Sequence, residues 1–194
     1  MTCPAPPHYL PALRSHIAAS ACNPIPHAAA SLPRRFAEHG DLYRRLPDMK
    51  QEEGAIVKHV VGPLLSAVAA MHSSGVIHRD MKPENILLQG SHILVSDFGF
   101  ATTLDLNPRP LTRLGTLHFM APEMLLNDVR DPLSFRNRIP REHRRPYCPA
   151  VDVWALGVII YECIFHCSPF HDLDESRVTS NILFAMPDLD GCPR

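Results

Sequence analysis

The chain has 194 residues, 45% of them hydrophobic and 20% charged, and its formal net charge at pH 7 is −1. Such a composition is typical of a globular protein with enough apolar material for one core. A net charge near zero provides no overall positive field for nucleic acid or an anionic membrane surface, so we predict neither as a partner.

Two further features of the composition bear on location. The longest uncharged apolar run near the end, residues 153–161, is shorter than the about 20 residues that cross a bilayer, so no membrane span is predicted. The six cysteines form no Cys-x-x-Cys pair, which argues against a zinc site and a disulfide framework and fits a reducing interior. We expect an intracellular protein, cytoplasmic or nuclear; scattered arginines before Glu38 leave organelle targeting as the alternative.

Residues 1–33 are predicted to be an irregular leader. They contain seven prolines and a short alanine run at 28–30. Prolines at this density remove backbone donors and block both helix interiors and central strands. The domain itself is therefore predicted to occupy residues 34–190.

Residues 52–74 predict a long helix with one buried face. Apolar residues recur there at spacings of three and four, as in an amphipathic helix. The stripe consists of Ile56, Val57, Val60, Val61, Leu64, Leu65, Val68 and Met71. Pro63 lies inside the helix and should kink it or remove a hydrogen bond. His72 near its end is expected to be a packed or capping residue.

The most informative stretch is residues 78–85, with the sequence HRDMKPEN, followed twelve positions after Asn85 by Asp97-Phe98-Gly99. Between them, residues 86–88 and 93–95 predict two strands joined by a turn containing glycine. Because a hairpin brings its ends together, Asn85 and Asp97 should lie side by side as oxygen donors, a pair suited to Mg²⁺. Asp80 is then free to meet a hydroxyl as a base, and Lys82 to neutralise a moving phosphoryl group.

Four features of the sequence follow this stretch. The triplet Ala121-Pro122-Glu123 comes first, and a segment rich in arginine separates it from Asp152. Residues 152–162 predict a helix that is apolar on all sides, as in a fully buried element. Residues 175–184 predict a further short helix.

These residues together resemble the eukaryotic protein kinases. Residues 78–85 match the family's catalytic loop, Asp97-Phe98-Gly99 its metal-binding triplet, and Ala121-Pro122-Glu123 the end of its activation segment. The KPEN form is similar to serine/threonine kinases. The resemblance covers residues 36–185 and implies an α+β, protein-kinase-like fold: a mainly helical large lobe with a small β-hairpin at the catalytic loop. The amino-terminal lobe is not recognisable, because no glycine precedes Gly40 and no lysine precedes Lys50.

The resemblance also implies roles for individual residues. Asp80 would accept the proton of the substrate hydroxyl, Lys82 would contact the transferred phosphate, and Thr116 would contact both of them. Asn85 and Asp97 would hold magnesium. Asp152 would anchor the backbone of the catalytic loop, and the rings of His78 and Phe98 would join an internal apolar stack.

For ATP, the family uses backbone groups at the hinge, here around Ala37, to hold the adenine. An acidic residue at the position of Asp41 faces the ribose, and Leu87 would lie under the adenine. Asp41 as a helix-capping aspartate and Leu87 as a plain core leucine are the alternatives.

Thr112 is the best candidate phosphorylation site in the activation segment. A phosphate there would add roughly two negative charges, and Arg79 could bind it through a bidentate pair. An upstream activating kinase would then be a partner. The alternative is that Thr112 is merely exposed.

Two functions remain open from the sequence. The first is a serine/threonine protein kinase that transfers the ATP γ-phosphate to Ser or Thr hydroxyls of protein substrates with Mg²⁺. The second is a catalytically inactive kinase-like binding module, or a truncated fragment, because the lobe that clamps the nucleotide is not recognisable.

Overall fold

The structure is a computed structural model that describes residues 40–48, 53–89, 92–127, 146–185 and 187. Within these residues the α-helices are α1 Leu42–Arg45, α2 Glu53–Ile56, α3 Gly62–Ser73, α4 Pro122–Leu125, α5 Ala150–Phe165 and α6 Glu175–Phe184. The strands are β1 Val76–Ile77, β2 Ile86–Gln89, β3 His92–Val95 and β4 Thr102–Thr103. The α+β fold with a mainly helical large lobe is confirmed. The predicted leader and Ala37 lie outside the described residues.

The long helix predicted at residues 52–74 forms in three pieces. A π-helical turn, Val57–Val61, separates α2 from α3, and the N–H of Gly62 closes it on the carbonyl of Val57. Pro63 explains the interruption, because its ring lacks an N–H and clashes with the carbonyl four residues earlier in a regular helix. A wider turn just before the proline relieves both problems.

The apolar stripe of this helix is narrower than predicted. Ile56, Val60, Leu64, Val68 and Met71 are buried in the main core. Val57 and Leu65, however, are 56% and 50% exposed, so the prediction that they belong to the buried face is wrong. The buried residues follow one another at spacings of four and three along a single contact line, and the residue after each lies about 100° around the axis.

The hairpin predicted around the turn at 89–91 is confirmed. β2 and β3 pair antiparallel, with Ile86 opposite Val95 and Gln89 opposite His92. The pairing continues beyond the strands, since the N–H of Ser96 donates to the carbonyl of Asn85 at 2.9 Å. This register brings the end of the catalytic loop next to the residue that precedes Asp97.

A second small sheet joins two segments that are distant in sequence. β1 pairs antiparallel with β4, with Val76 opposite Thr103 and Ile77 opposite Thr102. Residues 78–85 follow β1 directly, and β4 lies just beyond the Asp97 triplet. The sheet therefore holds the start of the catalytic loop against the start of the activation segment.

Helix α5 lies at the centre of the molecule. Ala155, Leu156, Ile159 and Cys163 pack in the core formed with α3 and the hairpin. The prediction that α5 is buried on all sides is wrong, because Val153 is 52% exposed. No helix among the described residues is both long and apolar enough to cross a membrane.

One cysteine departs from the expectation that the chain has no disulfide framework. Cys148 and Cys163 are free thiols, but Cys167 is disulfide-bonded. Spacing along the chain could not reveal this bond, because a disulfide requires two Cβ atoms to meet in space at about 4 Å.

Candidate active site

The catalytic loop, residues 78–85, is anchored by Asp152 in the first turn of α5. The backbone N–H groups of His78 and Arg79 donate to the two carboxylate oxygens of Asp152, each at 2.9 Å. The ring Nε2 of His72, at the end of α3, lies 2.8 Å from the same carboxylate. Asp152 is only 1% exposed, so these three partners compensate for burying its charge. The predicted anchoring role of Asp152 is confirmed.

His78 is fully buried as a structural element of the loop. Its Nε2 donates to the carbonyl of Ser96 at 3.0 Å, and its Nδ1 accepts from the N–H of Asp80 at 3.3 Å. Both contacts require the neutral ring with its proton on Nε2. Burial lowers the pKa of His78, which keeps the ring in this form. Phe98 meets the ring edge-on, with the ring centroids 4.9 Å apart.

Asp80, Lys82 and Thr116 form a closed cluster. The N–H and the hydroxyl of Thr116 both donate to Oδ1 of Asp80 at 2.9 Å. The Nζ of Lys82 lies 3.2 Å from Oδ2 of Asp80 and donates to the Thr116 hydroxyl at 3.1 Å. Asp80 is buried. Oδ1 thus has both lone pairs engaged, whereas Oδ2 keeps capacity for one more donor.

Gly115 makes the approach of Thr116 to Asp80 possible. Its φ is +107°, and a Cβ at this position would lie 2.5 Å from the carbonyl oxygen of Arg79. A Cβ would also lie 3.3 Å from Oδ1 of Asp80. Only glycine combines this backbone conformation with such close contact. We did not identify Gly115 from the sequence as a site residue, although the Gly-Thr pair itself was the available signal.

Asn85 and Asp97 flank the hairpin as the sequence predicted. The Nδ2 of buried Asn85 donates to the carbonyl of Asp80 at 2.9 Å, so the amide oxygen is the group left to accept. Asp97 is exposed and adopts a left-handed conformation with φ 58°, in which its carboxylate accepts from the N–H of Gly99 at 3.3 Å. One amide oxygen and one carboxylate fit the hard oxygen donor set that Mg²⁺ requires.

The residues predicted to contact ATP are placed as follows. Asp41 caps α1, where its carboxylate accepts from the N–H of Arg44 at 2.9 Å, as in the alternative interpretation. Asp41 also forms a β-bridge with Leu87, and the N–H of Leu88 donates to the carbonyl of Gly40 at 2.9 Å. The segment before α1 and the hairpin are therefore adjacent, which brings Asp41 and Leu87 together.

Arg79 and Thr112 are linked through a residue that sequence reasoning missed. The Thr112 side chain is exposed, while Arg79 donates from Nε to the carbonyl of Phe100. The Nη1 of Arg79 donates to the hydroxyl of Tyr147. Tyr147 carried no sequence signal, because it follows the arginine-rich segment and belongs to no recognisable motif.

A carboxylate on α5 is affected by a carboxylate of the catalytic loop. Burial and the charge of Glu84 raise the pKa of Glu162, on α5, to about 7. Glu84 itself is exposed in the catalytic loop. Glu162 on α5 and Glu84 on the loop are therefore close enough for the charge of Glu84 to act on Glu162.

Comparisons with known proteins identify the family of the chain. Residues 27–189 match the family described as "Protein kinase domain". The chain is 36% identical over 155 residues to "Calcium/calmodulin-dependent protein kinase type 1B" of Homo sapiens. The matched residues make up 78% of this chain and 40% of that protein. It is 31% identical over 156 residues to "cGMP-dependent protein kinase, isozyme 1" of Drosophila melanogaster, which is 80% of this chain and 18% of that protein.

A third relative is "Serine/threonine-protein kinase KSP1" of Saccharomyces cerevisiae, 31% identical over 149 residues, which is 73% of this chain and 13% of that protein. The chain thus spans less than half the length of these curated relatives. The family match covers most of the chain and includes the loop, the hairpin and helix α5. The chain belongs to the eukaryotic protein kinase superfamily.

Proposed function

We propose that this chain carries the catalytic machinery of a serine/threonine protein kinase, which transfers the γ-phosphate of ATP to Ser or Thr hydroxyls of protein substrates. The observation that carries the proposal is the cluster of Asp80, Lys82 and Thr116, in which a buried carboxylate is held by three donors. Phosphoryl transfer needs positioning and charge neutralisation more than covalent chemistry from the protein. This cluster provides both.

Each residue of the cluster has a distinct part in the proposed reaction. Thr116 orients the carboxylate by occupying Oδ1, so a substrate hydroxyl would meet Oδ2 of Asp80 and pass its proton there. Lys82, 3.2 Å from Oδ2, would lie beside the transferred group and offset its charge. Asn85 and Asp97 would hold Mg²⁺, which would neutralise the phosphate oxygens of ATP.

Phosphate transfer from radiolabelled ATP to a Ser/Thr peptide, with and without Mg²⁺, tests this proposal. Asp80→Asn keeps the acceptor oxygen for Thr116 but removes the base, so the rate should fall about 10²- to 10⁴-fold. Glu175→Gln, in the exposed first turn of α6, removes a charge outside the cluster and should leave the rate unchanged. Equal activity of the wild type and Asp80→Asn would contradict the proposal.

A second candidate function is an inactive kinase-like binding module. It is favoured by the sequence before residue 50, which has no Gly-rich loop and no lysine that could hold the phosphates. Calorimetric titration with Mg²⁺ and ATP separates the two functions. A kinase binds the nucleotide and loses that binding in Asp97→Ala, whereas an inactive module without a phosphate-holding lysine should bind no nucleotide, either as the wild type or as the variant.

The remaining proposals concern the context of the enzyme. Residues 34–190 form the kinase domain, an upstream kinase would act on Thr112, and the protein works inside the cell, in the cytoplasm or nucleus.

Leu87, half-buried in the hairpin, and Asp41 would border the adenine and ribose of ATP, together with backbone groups around Ala37. Glu84, which is exposed and follows Lys82 by two residues, would face substrates with basic residues; the alternative is that it is a solvated acid of the loop.

A further inference from the structure

Tyr147 connects the activation segment to the catalytic loop. It is 4% exposed, and its ring lies in the small core cluster with Ile77, Ala121, Met124 and Val151. Its hydroxyl has partners on two separate segments. It donates to the carbonyl of Thr112 at 2.9 Å and accepts from Nη1 of Arg79 at 3.2 Å.

The backbone of Tyr147 holds the same segment a second time. Its N–H donates to the carbonyl of Pro110 at 3.1 Å. Tyr147 thus holds two residues of the activation segment: residue 110 through its main chain and residue 112 through its side chain. Three positions further along, Gly115 lies against the carbonyl of Arg79, and Thr116 donates twice to Asp80.

The Arg79 side of this connection is equally well fixed. The backbone N–H of Arg79 is bound by Asp152, its φ is 70°, and its Nε donates to the carbonyl of Phe100. The guanidinium therefore cannot move far without breaking contacts to other elements. A hydroxyl held by such a group is itself a rigid attachment point for Thr112.

We infer that the Tyr147 hydroxyl is a positioning group, which holds residues 110–116 against the catalytic loop and so keeps Thr116 on Asp80. It does this in the unmodified chain, by occupying Nη1 of Arg79 with a neutral hydroxyl. A phosphate on Thr112 would compete with Tyr147 for this arginine nitrogen. The catalytic consequence rests on the proposed function, but the positioning itself is a property of the fold.

Hydrogen–deuterium exchange of the full chain without nucleotide tests the positioning directly. Tyr147→Phe keeps the buried ring and removes only the hydroxyl. Amides in residues 113–117, including that of Thr116, should then exchange about tenfold faster, as expected when a net hydrogen bond of ordinary strength is lost. Amides in α3 should be unchanged. Tyr161→Phe is the matched control and should leave 113–117 unchanged. Tyr161 is a buried tyrosine whose ring packs at a tilt against Phe165 within α5.

A second variant removes the partner of the hydroxyl. Arg79→Lys should also accelerate exchange in 113–117. Adding Tyr147→Phe to it should have less effect than in the wild type, because both substitutions break the bond between Nη1 of Arg79 and the Tyr147 hydroxyl. Each substitution also breaks one bond of its own, from Arg79 to Phe100 or from Tyr147 to Thr112. Full additivity of the two effects would overturn the inference. So would unchanged exchange in Tyr147→Phe, or an increase that is equal in α3 and in 113–117.

The two proposals fail in different measurements. Absence of phosphate transfer by the wild type would refute the proposed function but leave the exchange result intact. If the wild type is active, Tyr147→Phe should lower kcat several-fold while the KM for ATP stays the same, because the hydroxyl acts on the cluster around Asp80. An unchanged kcat together with unchanged exchange would overturn the positioning role alone.

Discussion

At the scale of single residues, the site depends on how closely two loops approach. Thr116 reaches Asp80 only because Gly115 lets the activation segment pass directly over the carbonyl of Arg79. Arg79 itself adopts a left-handed conformation that places its N–H on Asp152. Two unusual backbone conformations, one on each loop, thus bring the cluster together.

We expect Gly115→Ala to damage this approach. A Cβ would lie 2.5 Å from the Arg79 carbonyl oxygen in a backbone conformation that L-residues rarely adopt. The substitution should lower the free energy of unfolding by about 1–3 kcal/mol and abolish the contact of Thr116 with Asp80. Urea denaturation measures the first effect, and phosphate transfer the second.

Gly157→Ala is the matched control for this prediction. Gly157 lies in the interior of α5, and a Cβ there would meet no atom within 4 Å. Alanine should therefore stabilise the protein by about 0.5–1 kcal/mol. If Gly115→Ala were stabilising as well, the close approach described above would be wrong.

At the scale of elements, α5 connects the core to the catalytic loop. Asp152 in its first turn holds the loop, and its middle packs in the core with α3 and the hairpin. At the carboxyl-terminal end of α5, the residue type does not suit the backbone conformation. His166 caps the helix in a left-handed conformation with φ 57°, which glycine adopts at lower cost than any residue with a Cβ.

Replacing this cap should stabilise the protein. His166 is exposed and its N–H donates to the carbonyl of Glu162 at 2.9 Å, a bond that glycine can keep. We expect His166→Gly to raise the free energy of unfolding by about 0.5–1 kcal/mol, measured by urea denaturation. His171→Gly, also exposed but without a positive φ, should not stabilise, and equal effects of the two substitutions would argue against the cap.

At the scale of the whole molecule, the candidate site lies where separate parts of the chain converge. The start of α5, the hairpin and the activation segment each contribute contacts to residues 78–85, and the end of α3 holds Asp152, the residue of α5 that makes this contact. The loop has little regular structure of its own, so its shape follows from these supports. Global stability and the geometry of the site are therefore coupled.

Glu162 should make this global stability depend on pH. Its pKa is raised to about 7 in the folded state by burial and by Glu84, against 4.5 for the ordinary group. Between these values the folded state binds the proton more strongly than the unfolded state, so stability falls as the pH rises from about 4.5 to about 7 and then stays level.

Glu162→Gln removes this contribution. At pH 8 the variant should be more stable than the wild type by about 1 kcal/mol, after allowance for solvent screening of a partly exposed group. At pH 4.5 the two should be equal. Thermal unfolding at both pH values measures the difference, with Glu175→Gln, at an exposed position of α6, as the control. A difference between Glu162→Gln and the wild type that is the same at both pH values would contradict the assignment.

Much of this architecture could be read from the sequence because it depends on local spacing. The two short apolar runs and the turn residues around position 90 were enough to predict the hairpin of β2 and β3. The predicted bounds of α6 match the structure at both ends. The HRDMKPEN stretch and the triplet at 97–99 are each a run of consecutive residues. Their order along the chain therefore identified the family before any contact was known.

What required the tertiary structure is the set of contacts between residues that are far apart in the chain. The bond between His72 and Asp152 spans 80 positions, and the Tyr147 hydroxyl joins Thr112 and Arg79 across 35 and 68 positions. The exposure of Val153 and the disulfide bond of Cys167 belong to the same class. Periodicity reports only how side chains are arranged around one element, whereas these features depend on which elements pack together and how closely.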